Sequence, residues 1–252
     1  MLASERTRYI ISQLNSKGII NIKDVAKELN ISEATVRRDF EKLENEGKLT
    51  RVTGGAKLNG DPDEEISHAA ELTMKTKRSL NFDAKLRAAR AACDNIQDGE
   101  CIFVDGGTSA AMMAKFIEKR KIIIVTHSEL LVRSMNNPTA KIFLVGGEYL
   151  PHFEMNVGEL TAQMISHFHF DRAFISCSSA DQNEGFAYTN ELDTLAIKNF
   201  AIENSDRAYL LLDSSKLNKK GFCKLDSLST FEKVYCNESS ELVNPPQNYV
   251  IV

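Results

Sequence analysis

One nine-residue stretch, Ser-Glu-Ala-Thr-Val-Arg-Arg-Asp-Phe at positions 32–40, constrains this chain more than any other. Ser32 is a favourable helix N-cap because its hydroxyl accepts from an orphan N–H of the first turn. Three apolar residues then recur at helical spacing and form one stripe: Val36, Phe40 and Leu43. The opposite face carries Thr35, Arg38 and Lys42. A helix that is apolar inside and basic outside fits a DNA major groove, where Arg and Thr read base edges and Lys neutralises phosphates.

The segments around this helix predict a winged helix-turn-helix. Residues 4–15 and 24–29 have helical apolar spacing, and residues 19–22 predict a short strand between them. Asn30-Ile31 is a tight turn into the basic helix, and two short helices joined in this way make a helix-turn-helix. The segment 49–56, Leu-Thr-Arg-Val-Thr-Gly-Gly-Ala, predicts a hairpin that lies beside the DNA backbone as a wing.

Charge and composition predict a two-domain chain with a basic N-terminal module. Residues 1–57 contain 11 Lys and Arg against 8 Asp and Glu, whereas the remaining chain contains 20 against 27. This asymmetry is typical of a DNA-binding domain on an acidic body. The segment Leu-Asn-Gly-Asp-Pro-Asp-Glu-Glu at 58–65 marks a break. We therefore expect a DNA-binding domain at 1–57, a linker at 58–75 and a second domain at 76–252.

Several classes of protein are disfavoured by the composition. No apolar run approaches the length of a membrane span, and the first helix is charged, so we expect no membrane association. Five scattered cysteines without a C-x-x-C motif favour reduced thiols in a cytoplasmic protein. His167 and His169 lack a third ligand at metal-binding spacing, so we expect neither a metal nor another cofactor.

The second half alternates short apolar strands with helical segments. The expected strands are 101–104, 122–125, 142–145, 173–175 and 209–212, and we expect these five to make up the sheet. The expected helices are 82–93, 109–117 and 129–135. Fully apolar short strands separated by helices predict an α/β domain with a mostly parallel sheet covered on both faces. Ligands of such folds bind beyond the carboxyl ends of the strands.

Three loops at those strand ends have the chemistry of an anion-binding cleft. The first loop comprises Asp105, Gly106, Gly107, Thr108 and Ser109, and the second is the Gly146-Gly147 turn. The third is Asp213-Ser214-Ser215-Lys216, which adds a cation beside hydroxyls. Bare backbone, hydroxyls and helix N–H groups together favour a phosphate or another anion. The chain lacks a P-loop motif and a G-x-G-x-x-G motif after these strands.

With these motifs in view, the N-terminal part resembles the DeoR family of bacterial transcriptional regulators. The positions in register with the family signature are Arg6, Ile10, Leu14, Ser32, Thr35, Val36, Arg37, Arg38, Asp39 and Phe40. The wing at 49–56 matches the family pattern L-x-R-x-x-G-G-A. The resemblance implies that Thr35, Arg37, Arg38 and Arg51 contact DNA. Our candidate DNA-binding residues are Ser32, Thr35, Arg37, Arg38, Lys42 and Arg51.

The resemblance extends over the second domain. It implies a fold like that of ribose-5-phosphate isomerase, a phosphorylated sugar as effector, and a binding role for Lys198. Our candidate effector-binding residues are Asp105, Gly107, Thr108, Ser109, Gly146, Gly147, Lys198, Asp213 and Lys216. If Lys216 does not hold the anion, Lys198 and Arg172 are the next candidates. The chain departs from the family pattern at Gly106, at His127, where Asn is common, and at 177–179.

The expected function is therefore that of a transcriptional repressor of a carbohydrate operon, controlled by a phosphorylated sugar and acting on double-stranded operator DNA. Two recognition helices must reach two half-sites, so we expect a homo-oligomer, either a dimer or a tetramer. One alternative is a sugar-phosphate enzyme with an appended basic module, and another is an RNA-binding or protein-docking module. Gln182 follows Asp181 where related isomerases carry Glu, so we expect no catalytic residues.

Overall fold

The computed structural model describes residues 3–17, 19–46, 48–52, 54–57, 74–242 and 244–252. Backbone contacts divide the chain into an N-terminal unit, 1–80, and a C-terminal unit, 81–252. Most of the expected linker, 58–73, lies outside the described residues, and residues 74–75 begin a helix. Within the described residues, no helix is both long and apolar enough to cross a membrane.

Within its described residues, the N-terminal unit combines four helices with a small antiparallel sheet. Its helices are α1 (Ala3–Lys17), α2 (Ile22–Leu29), α3 (Glu33–Asn45) and α4 (Met74–Ser79). Its strands are β1 (Ile19–Asn21), β2 (Thr50–Val52) and β3 (Gly55–Lys57), in the order β1-β3-β2. The predicted winged helix-turn-helix is thereby confirmed, with β2 and β3 forming the wing.

Local sequence explains where these helices begin and end. The Asn21 side chain accepts from the Lys23 N–H at the start of α2, and Ser32 accepts from the Thr35 N–H at the start of α3. Asn30 ends α2 with a left-handed backbone (φ 51°), a conformation that Asn tolerates better than most residues. The helices close over one core, whose largest members are Ile10, Leu14, Phe40, Leu43 and Leu49.

The C-terminal unit has a parallel sheet at its centre. Its helices are α5 (Phe82–Cys93), α6 (Thr108–Ala111), α7 (Ala114–Ile117), α8 (Glu129–Arg133), α9 (Glu159–Ser166) and α10 (Leu192–Glu203). The sheet strands are β4 (Cys101–Val104), β5 (Ile123–Thr126), β6 (Lys141–Leu144), β9 (Arg172–Ser176), β12 (Ala208–Leu211), β14 (Lys233–Cys236) and β15 (Tyr249–Ile251). Their order is β15-β14-β12-β9-β4-β5-β6, and every neighbouring pair is parallel. The predicted α/β class is confirmed.

The expectation that five strands make up the sheet was wrong, because β14 and β15 extend it at one edge. They have only four and three residues, and β14 begins with a lysine, so a search for apolar runs does not detect them. Two smaller sheets were also not anticipated. They are the hairpin β7 (Glu148–Leu150) with β8 (Met155–Val157), and the sheet of β10 (Ser179–Asp181), β11 (Phe186–Thr189) and β13 (Cys223–Ser227).

The helix expected at 109–117 is instead two four-residue helices, α6 and α7. Between them the backbone tightens, since the Met113 N–H donates to the Ala110 carbonyl and the Phe116 N–H donates to the Met113 carbonyl, both three residues back. The turn buries Met113 in the core that packs on β4, β9 and β12. It also fixes the position of the 105–109 loop at the carboxyl end of the sheet.

Candidate nucleic-acid interface and ligand cleft

Helix α3 has the two-sided character that its sequence predicts. Val36, Phe40 and Leu43 are buried, whereas Arg38 and Lys42 are exposed on the other side. The Ser32 and Thr35 hydroxyls lie 2.9 Å apart at the start of the helix, so the capping residue also orders Thr35. The helix therefore presents a hydroxyl and two cations to solvent from a rigidly packed base.

The cations of this surface differ in whether a carboxylate compensates them. Arg37 pairs with Glu33 at 3.2 Å, and Lys42 approaches Glu46 at 3.9 Å, both along the exposed helix surface. Such exposed pairs are weak and exchange readily for a phosphate. Arg38 has no ion pair within the described part of the chain. It is therefore the side chain of α3 best placed to take a base or phosphate contact directly.

The wing is attached to α3 through Arg51. The Arg51 Nε lies 2.6 Å from Glu44 Oε2, and the Arg51 backbone N–H donates to Glu44 Oε1 at 2.9 Å. These hydrogen bonds hold the pKa of Glu44 below its usual range. A shallow groove lies between the helix and the wing, with Arg37 and Arg51 in its lining. Arg51 thus positions the wing beside the groove as well as offering charge.

The structure shows two features that position the elements of the N-terminal unit: an ion pair and a glycine. Arg6 on α1 pairs with Asp39 on α3, with Nε 2.7 Å from Oδ2 and Nη2 3.1 Å from Oδ1. Both positions belong to the family signature, and their pairing explains why: it clamps α3 onto α1. Gly55 has no room for a side chain, because a Cβ there would lie 2.2 Å from the Ile20 carbonyl oxygen. The wing can therefore pair closely with β1.

In the C-terminal unit, Asp105 is the centre of a buried cluster at the carboxyl end of β4. Its Oδ2 lies 2.5 Å from Lys198 Nζ on α10 and accepts from the Ser176 backbone N–H at 3.1 Å and from the Ser176 hydroxyl. Burial raises the pKa of Asp105, but the contacts with Lys198 and His127 together outweigh burial, and the pKa lies well below its usual range. Asp105 is an ionised, fully buried carboxylate whose charge is already neutralised.

His127, at the carboxyl end of β5, holds the 105–109 loop from the other side. Its Nδ1 lies 2.7 Å from the Asn156 carbonyl oxygen, and its Nε2 accepts from the Gly106 N–H at 3.0 Å. Nε2 also lies 3.4 Å from Asp105 Oδ1, so the ring bridges the Asn156 carbonyl and the 105–109 loop. The departure from the family pattern at position 127 is thus a buried structural contact.

One glycine in each of the two expected loops, Gly107 and Gly147, is required by internal packing. A Cβ on Gly107 would lie 1.9 Å from the Ser176 hydroxyl oxygen, and one on Gly147 would lie 1.9 Å from the Thr161 hydroxyl oxygen. At Gly146 nothing lies within 4 Å of a Cβ. Gly107 therefore lets the 105–109 loop approach β9. The expectation that these glycines allow close approach of a ligand stays a prediction.

A second buried carboxylate, Asp213, follows β12. Its Oδ1 accepts from the Asn81 amide at 2.8 Å and from the Ser215 N–H at 3.2 Å, and its Oδ2 lies 4.0 Å from Lys85 Nζ. Lys85 belongs to α5 and is buried. Asp213 is therefore neutralised by a lysine from a helix, as Asp105 is.

Lys216 differs from these two lysines. Its Nζ donates to the Cys177 carbonyl at 2.6 Å, and the described residues place no carboxylate in salt-bridge range of it. It is half-buried and lies in a short 3₁₀ turn, Ser214–Lys216. The cleft therefore combines two neutralised carboxylates with a half-buried cation that no described carboxylate compensates, which favours an anionic ligand.

The structure brings together only part of the expected effector set. Asp105, Lys198, Asp213 and Lys216 come from the carboxyl ends of β4 and β12 and from α10, which surround β9. Gly146 and Gly147 follow β6, four strands from β12, or roughly 19 Å at the usual strand spacing. Thr108 and Ser109 are buried at the start of α6.

Arg172 is not a candidate for the anion, contrary to expectation. It begins β9 and therefore lies at the amino end of the sheet, opposite the cleft, with its Nε 2.8 Å from Glu100 Oε2 and its Nη1 2.5 Å from the Tyr209 hydroxyl. Its charge serves a buried structural network.

Asn81, Lys85 and Ser176 were not assigned to the cleft from the sequence. Lys85 had a detectable signal, because it occupies the apolar stripe of α5 together with Ala88, Ala89 and Ala92. No motif marks Asn81 or Ser176.

The Cys177 thiol and the His169 imidazole are not arranged as reactive groups. Burial raises the pKa of the Cys177 thiol to about 11, so it stays protonated at neutral pH. His169 lies 3.2 Å from Asp206, both exposed. Among the described residues, no group of three His, Cys, Asp or Glu side chains is arranged to hold a metal ion.

Known proteins resemble both units. Residues 6–61 match the DeoR-like helix-turn-helix domain, and residues 80–238 match the DeoR C terminal sensor domain. The lactose phosphotransferase system repressor of Staphylococcus aureus is 32% identical over 255 residues, covering 98% of each chain. The protein of the same name from Streptococcus mutans is 29% identical over 232 residues, covering 91% of this chain and 90% of that one.

Among solved structures, ribose 5-phosphate isomerase A of Methanocaldococcus jannaschii aligns with a TM-score of 0.40 and 18% identity, covering 54% of this chain and 55% of that chain.

Proposed function

This chain belongs to the DeoR family of helix-turn-helix regulators, and we propose that it represses a carbohydrate operon, binding operator DNA with its N-terminal unit and a phosphorylated sugar with its C-terminal unit. The relatives with whole-chain similarity are named repressors of a lactose phosphotransferase system, which favours a regulator over an isomerase-like enzyme. Because it would act on DNA in a bacterial cell, we propose that the protein works in the cytoplasm.

The observation that carries the DNA-binding half is the exposed basic side of α3 above its buried stripe. Arg38 lacks a carboxylate partner within the described residues, and Thr35 is ordered by the Ser32 cap. We propose that Thr35 and Arg38 face the groove and that Arg37 and Lys42 exchange their weak carboxylate contacts for phosphates. Arg51 holds the wing for a backbone contact. A half-site needs one such surface, so a palindromic operator needs a homo-oligomer.

The sugar-phosphate half is supported by the charge of the cleft. Lys198 neutralises Asp105 and Lys85 neutralises Asp213, so Lys216 is the cation left for the ligand. A phosphate monoester carries about −1.5 to −2 charges at pH 7 and accepts several hydrogen bonds. We propose that it displaces the Cys177 carbonyl from Lys216. The hydroxyls of the Ser214–Lys216 turn and of Thr108 follow the carboxyl ends of β12 and β4, the strands on either side of β9.

The test begins with thermal shifts of the full chain in the presence of pentose and hexose phosphates, each compared with the same sugar lacking the phosphate. A ligand that binds only the folded protein raises its melting temperature by mass action. The sugar phosphate that raises it is then titrated into the protein bound to a duplex from the region upstream of its own gene, followed by fluorescence anisotropy. We expect release of the DNA by the phosphorylated form only.

The variant Lys216→Ala separates the two halves of the proposal. It should bind the duplex as the wild type does, because Lys216 lies in the C-terminal unit, but it should stay on the DNA when the sugar phosphate is added. Lys219→Ala is the control, since Lys219 is an exposed neighbour whose Nζ donates to the Ser215 carbonyl at 2.6 Å. Normal release of Lys216→Ala would place the anion elsewhere, with Lys198 the next candidate.

A further inference from the structure

Asn81 stands at the point where the chain enters the C-terminal unit. It follows Leu80, the last residue of the N-terminal unit, and precedes α5. Its backbone is left-handed, with φ 53° and ψ 35°. Asn adopts a left-handed backbone more readily than other non-glycine residues, because its short side chain can form hydrogen bonds that hold the conformation. The chain direction at this junction therefore depends on what Asn81 binds.

The Asn81 side chain binds the loop that carries Lys216. Its amide Nδ2 donates to Asp213 Oδ1 at 2.8 Å and to the Ser215 hydroxyl at 3.0 Å. Asp213 lies 132 residues later in the sequence and is almost completely buried. Asn81, the first residue of the C-terminal unit, is thus held by the 213–216 loop.

The first turn of α5 strengthens this link. The Lys85 backbone N–H donates to the Asn81 carbonyl at 3.0 Å. The Lys85 Nζ lies 4.0 Å from Asp213 Oδ2, the carboxylate oxygen that Asn81 does not bind. One carboxylate oxygen of Asp213 therefore accepts a hydrogen bond from Asn81, and the other faces the Lys85 ammonium. A displacement of the 213–216 loop must therefore alter the contacts of both Asn81 and Lys85, which lie one helical turn apart.

We propose that Asn81 is a positioning residue that couples effector binding to the DNA-binding unit; this rests on the proposed function. When a sugar phosphate takes Lys216 and the neighbouring hydroxyls, Asp213 and Ser215 change their alignment and release the Asn81 amide. Without these acceptors Asn81 leaves its left-handed conformation, and the chain at Leu80 is redirected. The ligand shifts the equilibrium because it binds the released arrangement more tightly than the held one.

Asn81→Gly tests the proposal in the full chain, because glycine keeps the positive φ and removes only the amide. Its matched control is Asn137→Gly, at another asparagine with positive φ (49°), in the loop before β6. Operator affinity is measured by anisotropy with and without the sugar phosphate among ribose 5-phosphate, fructose 6-phosphate, glucose 6-phosphate and galactose 6-phosphate that stabilises the wild type. Binding of that sugar phosphate is measured separately by calorimetry.

We expect Asn81→Gly to bind both partners, while the effector changes its operator affinity by a factor near one. Wild type and Asn137→Gly should both show a factor in the range of about 5–150 that is common for allosteric coupling. A merely structural role would weaken both binding reactions and leave the factor unchanged. A wild-type factor in Asn81→Gly overturns the proposal.

Hydrogen exchange of the ligand-free full chain decides the proposal even if none of these sugars binds. In that case the effector class proposed above is wrong, whereas the link through Asn81 is still measurable. We expect Asn81→Gly, unlike Asn137→Gly, to accelerate exchange of amides on both sides of the link, at 74–80 and at 213–216. Acceleration confined to one side, or its absence, overturns the proposal.

Discussion

Replacement of Lys198 by methionine should destabilise the protein strongly, because it leaves Asp105 charged and buried without its cation. Met retains the volume of the lysine stem, so the change removes mainly the ammonium. Breaking a buried ion pair from one side typically costs about 3–5 kcal/mol. The Ser176 backbone N–H, the Ser176 hydroxyl and the Gly107 N–H still donate to the carboxylate. We therefore expect a loss near the lower end, about 3 kcal/mol.

The pH dependence of this loss has a definite sign. In the wild type the folded pKa of Asp105 lies below its unfolded value, so its contribution to stability is present above the unfolded pKa and lost only as pH falls through the folded pKa. Without Lys198, burial dominates and raises the folded pKa above the unfolded value of about 3.9. The variant then gains a proton more readily when folded. Its deficit relative to wild type should shrink as pH falls from 8 towards 5.

Urea unfolding at a series of pH values, followed by far-ultraviolet circular dichroism, measures this effect. Lys220→Met is the control, since Lys220 pairs with Glu184 at 3.0 Å but in full exposure, and its loss should be far smaller at every pH. The double variant Asp105→Asn with Lys198→Met should be more stable than Lys198→Met alone at pH 8. The reasoning is refuted if Lys198→Met costs no more than Lys220→Met, or if its deficit grows as pH falls.

Three further outcomes test the other parts of the molecule. Arg38→Ala should weaken operator binding by about 1–3 kcal/mol in gel shifts, with an unchanged circular dichroism spectrum; wild-type affinity would remove Arg38 from the interface. DNA binding should weaken steeply as the salt concentration rises, because it depends on phosphate neutralisation by the basic module at 1–57. A chain of residues 76–252 lacks this module and should show no operator affinity. Retained affinity would mean that the DNA-binding surface lies elsewhere. Gly107→Ala should lower the melting temperature because its Cβ would meet the Ser176 hydroxyl oxygen at 1.9 Å, whereas Gly146→Ala, with open space around it, should not; equal effects would contradict the packing argument.

Elements with clear boundaries and uniform composition were predictable from the sequence. The helix at 82–93 and the strand at 101–104 end where predicted, because an Ala-rich helix stops before Asp94 and the strand lies between Asp98-Gly99 and Asp105-Gly106. The strands at 233–236 and 249–251 were missed because they are short and flanked by polar residues. Their place in the sheet is set by parallel neighbours, which no local pattern encodes.

The cleft was predictable to the level of its loops but not of its ion pairs. The loops at 105–109 and 213–216 follow apolar strands, so the sequence marks them. Asp105 and Lys198 are 93 residues apart, and no local pattern around either residue predicts that the two form an ion pair. A lysine on an otherwise apolar helix stripe was the available signal for Lys85, because an ammonium there must find a buried partner. Such a signal predicts that a carboxylate is near without saying which one.

The charge arrangement of the cleft supports our proposal that Lys216, and neither Lys198 nor Lys85, binds the ligand anion. Lys198 and Lys85 are buried against Asp105 and Asp213, so removing either from its carboxylate leaves two uncompensated buried charges. Lys216 is half-buried and bound only to a neutral carbonyl, which an incoming phosphate can replace without exposing a buried charge. We therefore propose that a ligand anion gains most at Lys216, whose loop is the one that accepts hydrogen bonds from Asn81. On this proposal, the binding free energy acts on the loop that contacts the first residue of the C-terminal unit.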